Sequence, residues 1–187
     1  MRNVSKLVVL FFVVLLGFSC EDQLNRFGGP VYDREGNLAT DREIIADYLE
    51  TAPYDSLYRI HDPSGVVVIV TEEGNGSRPE AGNVVYANYT GSLLDGSVFD
   101  SNMEDVAQEN GIYDEERNYR IFSFFVDLPP SQGGAIQGFS LGFKRLRSGA
   151  KGTIIIPSPY GYEDSENVPR VPANSVLVFD VEFLGMD

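Results

Sequence analysis

Few side chains in this chain have the type and setting to do chemistry. In "VVYANYTGSLLDGSVFD" (84–100) an apolar ring, Phe99, stands directly beside a carboxylate, Asp100. A strand that only has to pack has no need of such an ending. The pair reads either as core and turn, or as the wall and the polar handle of a site. The single histidine, His61 in "RIHDPSG", precedes a turn and has no cysteine partner, the setting of a surface residue rather than a base. The acidic runs "DEE" (114–116) and "EDSE" (163–166) read as solvated loops rather than cation sites. No HExxH, GxSxG, Walker or dinucleotide pattern occurs. No metal and no cofactor is expected, and what remains is a reaction run by shape, dryness and a few hydrogen bonds.

The elements that must position such a site belong to a globular chain. The 187 residues carry 43% hydrophobic side chains, enough for one ordinary domain plus extensions. A formal charge of −14 argues against nucleic acid as a partner, because phosphate neutralisation needs a basic face. The one basic cluster, "KRLRSGAK" (144–151), is short and reads as a solvated helix face.

The first 19 residues read as a signal peptide. Arg2 and Lys6 form a positive n-region, and the apolar run Leu7 to Leu16 is too short to span a bilayer but fits a secretory h-region. The chain's only cysteine, Cys20, follows directly and has no internal disulfide partner. Its setting resembles the acylation site of a bacterial lipoprotein. That resemblance implies lipidation at Cys20 and a protein anchored to a membrane of the cell envelope by acyl chains, the outer membrane being the expected one. Residues 20–39 read as a flexible tether. In 40–64 a short amphipathic helix at about 41–50 is expected, with Thr40 and Glu43 at capping-box spacing, Ile44, Ile45, Tyr48 and Leu49 as its stripe, and Pro53 beyond its end. A linker follows.

From residue 65 to 187 the pattern is that of strands. "GVVVIVTEEG" (65–74), "VVYANYTG" (84–91), "YRIFSFFVDL" (119–128), "AKGTIIIP" (150–157) and "SVLVFDVEFLGMD" (175–187) are β-branched or alternating runs closed by turn residues. "IQGFSLGFKRLRSG" (136–149) reads as the only helix of this domain, stopped by Gly149. The fold class is therefore α+β.

Four ordered motifs carry a resemblance. "YTGSLLDGSVFDSN" (89–102), "AIQGFSLGFKRLRSGAKGTIIIP" (135–157), "YGYED" (160–164) and "VPANSVLVFDVEFL" (171–184) resemble the successive landmarks of an FKBP-type peptidyl-prolyl isomerase. The resemblance implies an antiparallel twisted sheet wrapped around one short helix. It implies that Phe99, Asp100 and Tyr162 are catalytic. It also implies that Tyr89, Phe122, Ile136, Phe139, Val171 and Phe179 bind the substrate, Ile136 through its backbone N–H and Tyr162 through its hydroxyl. The implied partners are proline-containing polypeptides, and oligomeric state stays open.

The implied chemistry suits the residues found. Rotating a peptide bond out of plane meets a barrier of about 18–20 kcal/mol, and a dry aromatic pocket that positions the flanking carbonyls lowers it without base, nucleophile or metal. The chain departs from the family pattern in three places. Phe139 stands where a Trp is usual, Glu163 where a Gly is usual, and residues 102–118 form an insertion, to be a lid, a chaperone surface or acidic padding. Two functions stay open at this point: an isomerase assisting protein folding, and a non-catalytic chaperone or partner-binding module on the same fold.

Overall fold

The computed structural model describes residues 31–187. The signal segment, Cys20 and the start of the tether lie outside them. Seven strands, all paired antiparallel, form one sheet: β1 (Tyr58–His61), β2 (Val67–Glu72), β3 (Val84–Leu93), β4 (Val98–Ser101), β5 (Phe122–Phe125), β6 (Lys151–Ile156) and β7 (Leu177–Met186). Their order is β1-β2-β6-β7-β3-β4, with β5 also on β3. Three helices, α1 (Arg34–Thr51), α2 (Glu104–Glu109) and α3 (Gln137–Phe143), accompany them.

Alternation along the strands divides the apolar side chains between two faces. Val85, Ala87 and Tyr89 on β3 and Leu177, Phe179, Val181 and Phe183 on β7 turn to one face, where they bury Phe139 and Phe143 of α3. Helix α3 approaches β6 closely because Gly138 and Gly142 carry no side chain. A Cβ at Gly138 would stand 2.2 Å from Ile156 Cγ2, and one at Gly142 2.4 Å from Ile154 Cγ2. On the opposite face Val67, Ile69, Ile155, Val176 and Val178 bury Ile45 of α1.

The structure corrects four boundaries. Helix α1 begins at Arg34, within the expected tether, because Asp33 caps it by accepting from the Gly36 N–H at 2.9 Å. Gly36 and Asn37 lower its intrinsic propensity by about 1 kcal/mol for the glycine, and docking on the sheet offsets this. Of the expected stripe, Ile45, Tyr48 and Leu49 pack on the sheet, while Ile44 is exposed. Strand β1 lies within the expected linker; only Ile60 is even partly buried, so alternation gave no signal, and pairing with β2 creates it. Helix α3 ends at Phe143, because the next residues tighten into i→i−3 bonds such as Arg145 N–H to the Gly142 carbonyl. Helix α2 lies inside the 102–118 insertion, so α3 is not the only helix after residue 65.

The insertion is built into the sheet's edge. Strands β4 and β5 lie along the same edge of β3, one against Thr90–Ser92 and the other against Val84–Ala87. Asn102 bridges the gap between them. Its side chain accepts from the Tyr89 N–H at 2.7 Å and donates to the Arg120 carbonyl at 3.0 Å. Ala107 and Ile112 are buried, so the segment has an apolar footing of its own.

Candidate functional site

Where α3 meets the sheet, a hollow of about 280 Å³ opens to solvent. Tyr89 comes from β3, Asp100 from β4, Phe122 from β5 and Phe179 from β7. Phe139 comes from α3, and Pro130, Gly134, Ala135 and Ile136 from the segment leading into it. Tyr162 comes from the turn after β6. The hollow is rimmed by residues far apart in sequence that only sheet closure brings together.

Its base is an aromatic cluster. Phe139 lies with its ring centroid 5.1 Å from that of Phe179, 5.8 Å from Tyr89 and 5.9 Å from Phe122, all edge to face. These are favourable quadrupole geometries and leave little room for a ring to tip.

The polar side of the hollow is one connected group. Tyr89 Oη donates to Asp100 Oδ2 at 2.6 Å. Arg117, from the insertion, forms an ion pair with Asp100 Oδ1 and reaches Tyr89 Oη at 3.3 Å. Burial, then the charge and hydrogen bond of Asp100, raises the Tyr89 pKa. Burial opposes the Arg117 charge, but the hydrogen bond and charge of Asp100 outweigh it and push the Arg117 pKa up. Burial, and next the charge of Asp100, raises the pKa of Tyr162 above its ordinary 10.0.

Two donors belong to residues that line the hollow and are unspent. Among the described residues the Tyr162 hydroxyl has no hydrogen-bond partner, and neither has the Ile136 N–H, which lies ahead of the α3 ladder at its N-cap. Also among the described residues, no three His, Cys, Asp or Glu side chains converge to hold a metal, and no helix is long and apolar enough to cross a membrane.

Seven of the nine residues expected at this site line the hollow: Tyr89, Asp100, Phe122, Ile136, Phe139, Tyr162 and Phe179. Phe99 and Val171 do not. The Phe99 ring lies behind Phe179, centroids 5.6 Å apart at 89°, and occupies the space over Gly91. A Cβ at Gly91 would stand 2.7 Å from Phe99 Cζ, so the absent side chain is what admits the ring. Val171 is buried in the main core. Sequence reasoning missed Pro130, Gly134 and Ala135, and it missed Arg117. The available signal was a lone cation directly after "DEE" in an otherwise acidic insertion.

An antiparallel sheet closed over a short glycine-containing helix, with an aromatic hollow between them, defines an FKBP-type architecture. The family model of the FKBP-type peptidyl-prolyl cis-trans isomerase matches residues 75–184. The chain belongs to that family. It is 34% identical over 121 residues to the FKBP-type peptidyl-prolyl cis-trans isomerase FkpA of Escherichia coli K12, a match covering 65% of this chain and 37% of that protein. It is 32% identical over 124 residues to FK506-binding protein 1A of Aspergillus fumigatus, covering 66% of this chain and 96% of the relative. The crystal structure of Escherichia coli FkpA superposes with a TM-score of 0.57 at 30% identity, over 82% of this chain and 62% of that one. The chain thus matches little more than a third of the length of its FkpA relatives.

Proposed function

We propose that this protein is an active peptidyl-prolyl cis–trans isomerase that turns Xaa-Pro bonds in polypeptides. It assists folding in the cell envelope, held to the membrane by acyl chains on Cys20. The observation that carries the catalytic reading is the pair of unspent donors, Tyr162 Oη and Ile136 N–H, at the edge of an aromatic hollow. In this reading the proline ring sits on Phe139 between Tyr89, Phe122 and Phe179. The two donors hold carbonyls on either side of the rotating bond.

Catalysis then needs no proton transfer. The planar amide is held by charge separation, which water stabilises and which the twisted state partly loses. Once the proline ring fills it, the aromatic hollow offers little water to the planar form, and the held carbonyls convert binding into rotation. Asp100 is tied to Tyr89 and Arg117, so its work is to orient the Tyr89 ring and set the field at the polar side. Tyr162, with a pKa raised further above an already alkaline 10.0, is protonated and therefore a donor throughout the physiological range.

Isomerisation of a short Xaa-Pro peptide by the full chain is the direct test. A kcat/KM that falls on Tyr162→Phe supports the reading, and no acceleration over the uncatalysed rate overturns it. Phe139, with no indole N–H at the base of the hollow, favours the second reading, a module that binds without turning over. Peptide binding with no acceleration would establish it. The anchor is tested separately: Cys20→Ala should release the protein to the soluble fraction or leave it unprocessed. Wild type found soluble with a free thiol rules the anchor out.

A further inference from the structure

Tyr162 sits on a tight turn, and the turn is gripped by a helix outside the stretch that the family model matches. Asp41 of α1 is buried, 3% exposed, and its Oδ2 accepts from the Ser158 N–H at 2.7 Å and from the Ser158 hydroxyl at 2.6 Å. Ser158 opens the 3₁₀ turn Ser158–Tyr160 that leads to Tyr162. Seven residues before Asp41, two turns of helix away, Arg34 grips the other side. Its guanidinium lies 4.6 Å from the Tyr160 ring centroid, and Nη1 donates to Glu163 Oε1 at 2.9 Å. Nη2 reaches Gln137 Oε1, at the first residue of α3, at 3.3 Å.

Glu163 makes this grip consequential. Its φ is +55, a region that non-glycine residues seldom occupy. A backbone bond from its N–H to the Ser158 carbonyl at 3.0 Å closes the turn. The residue next to Tyr162 is thus held in an uncommon conformation, and Arg34 fastens its side chain.

We infer that α1 is a positioning element of the site: Arg34 and Asp41 hold the turn so that the Tyr162 hydroxyl faces the hollow. The inference rests on the isomerase reading for its effect on turnover, but not for its effect on the turn. Arg34 touches no substrate. It sets the fraction of molecules whose turn is ready to bind. When that fraction falls, apparent affinity falls by the same factor. Loosening the turn therefore raises KM and leaves kcat in place. Loss of folded protein does the opposite, lowering apparent kcat and leaving KM unchanged.

The test uses the full chain, with steady-state kinetics on an Xaa-Pro peptide and amide hydrogen exchange over residues 158–163. Arg34→Ala should raise KM by about threefold to tenfold at unchanged kcat, and should speed exchange at Gly161 and Glu163 measurably. Arg34→Lys keeps the charge but loses the planar stack and the fork, so it should recover only part. The exchanged pair, Arg34→Glu with Glu163→Arg, should recover more than the product of the two single effects predicts. Arg59→Ala removes a cation that reaches the far end of α1 at Leu49 and should change neither readout. Unchanged KM together with unchanged exchange in Arg34→Ala overturns the inference, as does a fall in kcat alone. Should the wild type fail to accelerate the peptide, the isomerase reading falls, and the exchange rates at 158–163 alone decide whether α1 positions the turn.

Discussion

The Tyr89 hydroxyl donates to the Asp100 carboxylate at 2.6 Å, and Arg117 closes on the same carboxylate from the insertion. The polar side of the hollow is therefore a three-membered network, and its members should not act independently. Asp100→Val leaves Arg117 without its anion and Tyr89 Oη without its acceptor. The ion pair is about a third exposed on both sides, so its own contribution is screened and lies at about 1 kcal/mol or less. We expect kcat/KM to fall severalfold in Asp100→Val and less in Arg117→Ala. The double variant should be no worse than Asp100→Val alone, because the second substitution removes a cation that has already lost its anion. Peptide kinetics and urea midpoints on the cycle check this. Additive losses would show that Arg117 acts apart from Asp100.

Tyr162 and Phe99 should separate binding from scaffold. The Tyr162 hydroxyl has no protein partner among the described residues, so Tyr162→Phe should leave the urea midpoint near wild type while KM rises. Phe99 is buried behind Phe179, and Phe99→Ala should cost about 3–5 kcal/mol as a cavity. Its kcat/KM, measured on the folded fraction, should change much less than that of Tyr162→Phe. The reverse pattern would make Phe99 a substrate contact.

Deleting residues 103–117 should not be silent. It removes the buried Ala107 and Ile112 and takes Arg117 from Asp100. We expect a lower urea midpoint and a lower kcat/KM on a short peptide. A deletion that ends before Arg117 should keep more of the activity than of the stability. Wild-type values in both deletions would mean that the segment is an appendage.

Stability should be flat through neutral pH and fall in alkali. Tyr89 and Tyr162 both have pKa values raised above the ordinary 10.0, by burial first and then by the charge of Asp100. A raised pKa means that the folded state holds protons which the unfolded state has already released. The contribution is thus complete below about pH 10 and is lost as pH rises above it. Urea midpoints measured from about pH 8 to about pH 11.5 should decline only in the upper part of that range. Tyr89→Phe should make the decline shallower. A decline that starts near neutral pH would point to a different group.

The fold was legible where side chains alternate without competition. Strands β2, β3, β6 and β7 announce themselves through β-branched and aromatic runs, since half-burial on a pleated sheet demands that pattern. Most of the hollow's lining was legible too, because its residues sit in motifs whose order and spacing resemble those of a known family. Strand β1 and the first two turns of α1 were not. Tyr58–His61 has no buried face to write an alternating pattern, and Gly36 and Asn37 argue locally against helix. What makes them form is pairing and docking with residues up to 129 positions away, and a local window holds no trace of that.

The site divides in the same way. Residue type marked Asp100, because a carboxylate beside an aromatic ring needs a partner, while Tyr162 was marked by the motif that resembles the family's. Which partner it has was decided by the fold. Closure of the sheet brings Arg117 onto Asp100, lets Phe99 tuck over Gly91 behind the wall, and carries Arg34 and Asp41 to the turn that holds Tyr162. Sequence determined the kinds of surface this protein presents, because polarity and size are local properties. Tertiary structure alone decided which of them meet, because contact depends on the path of the whole chain.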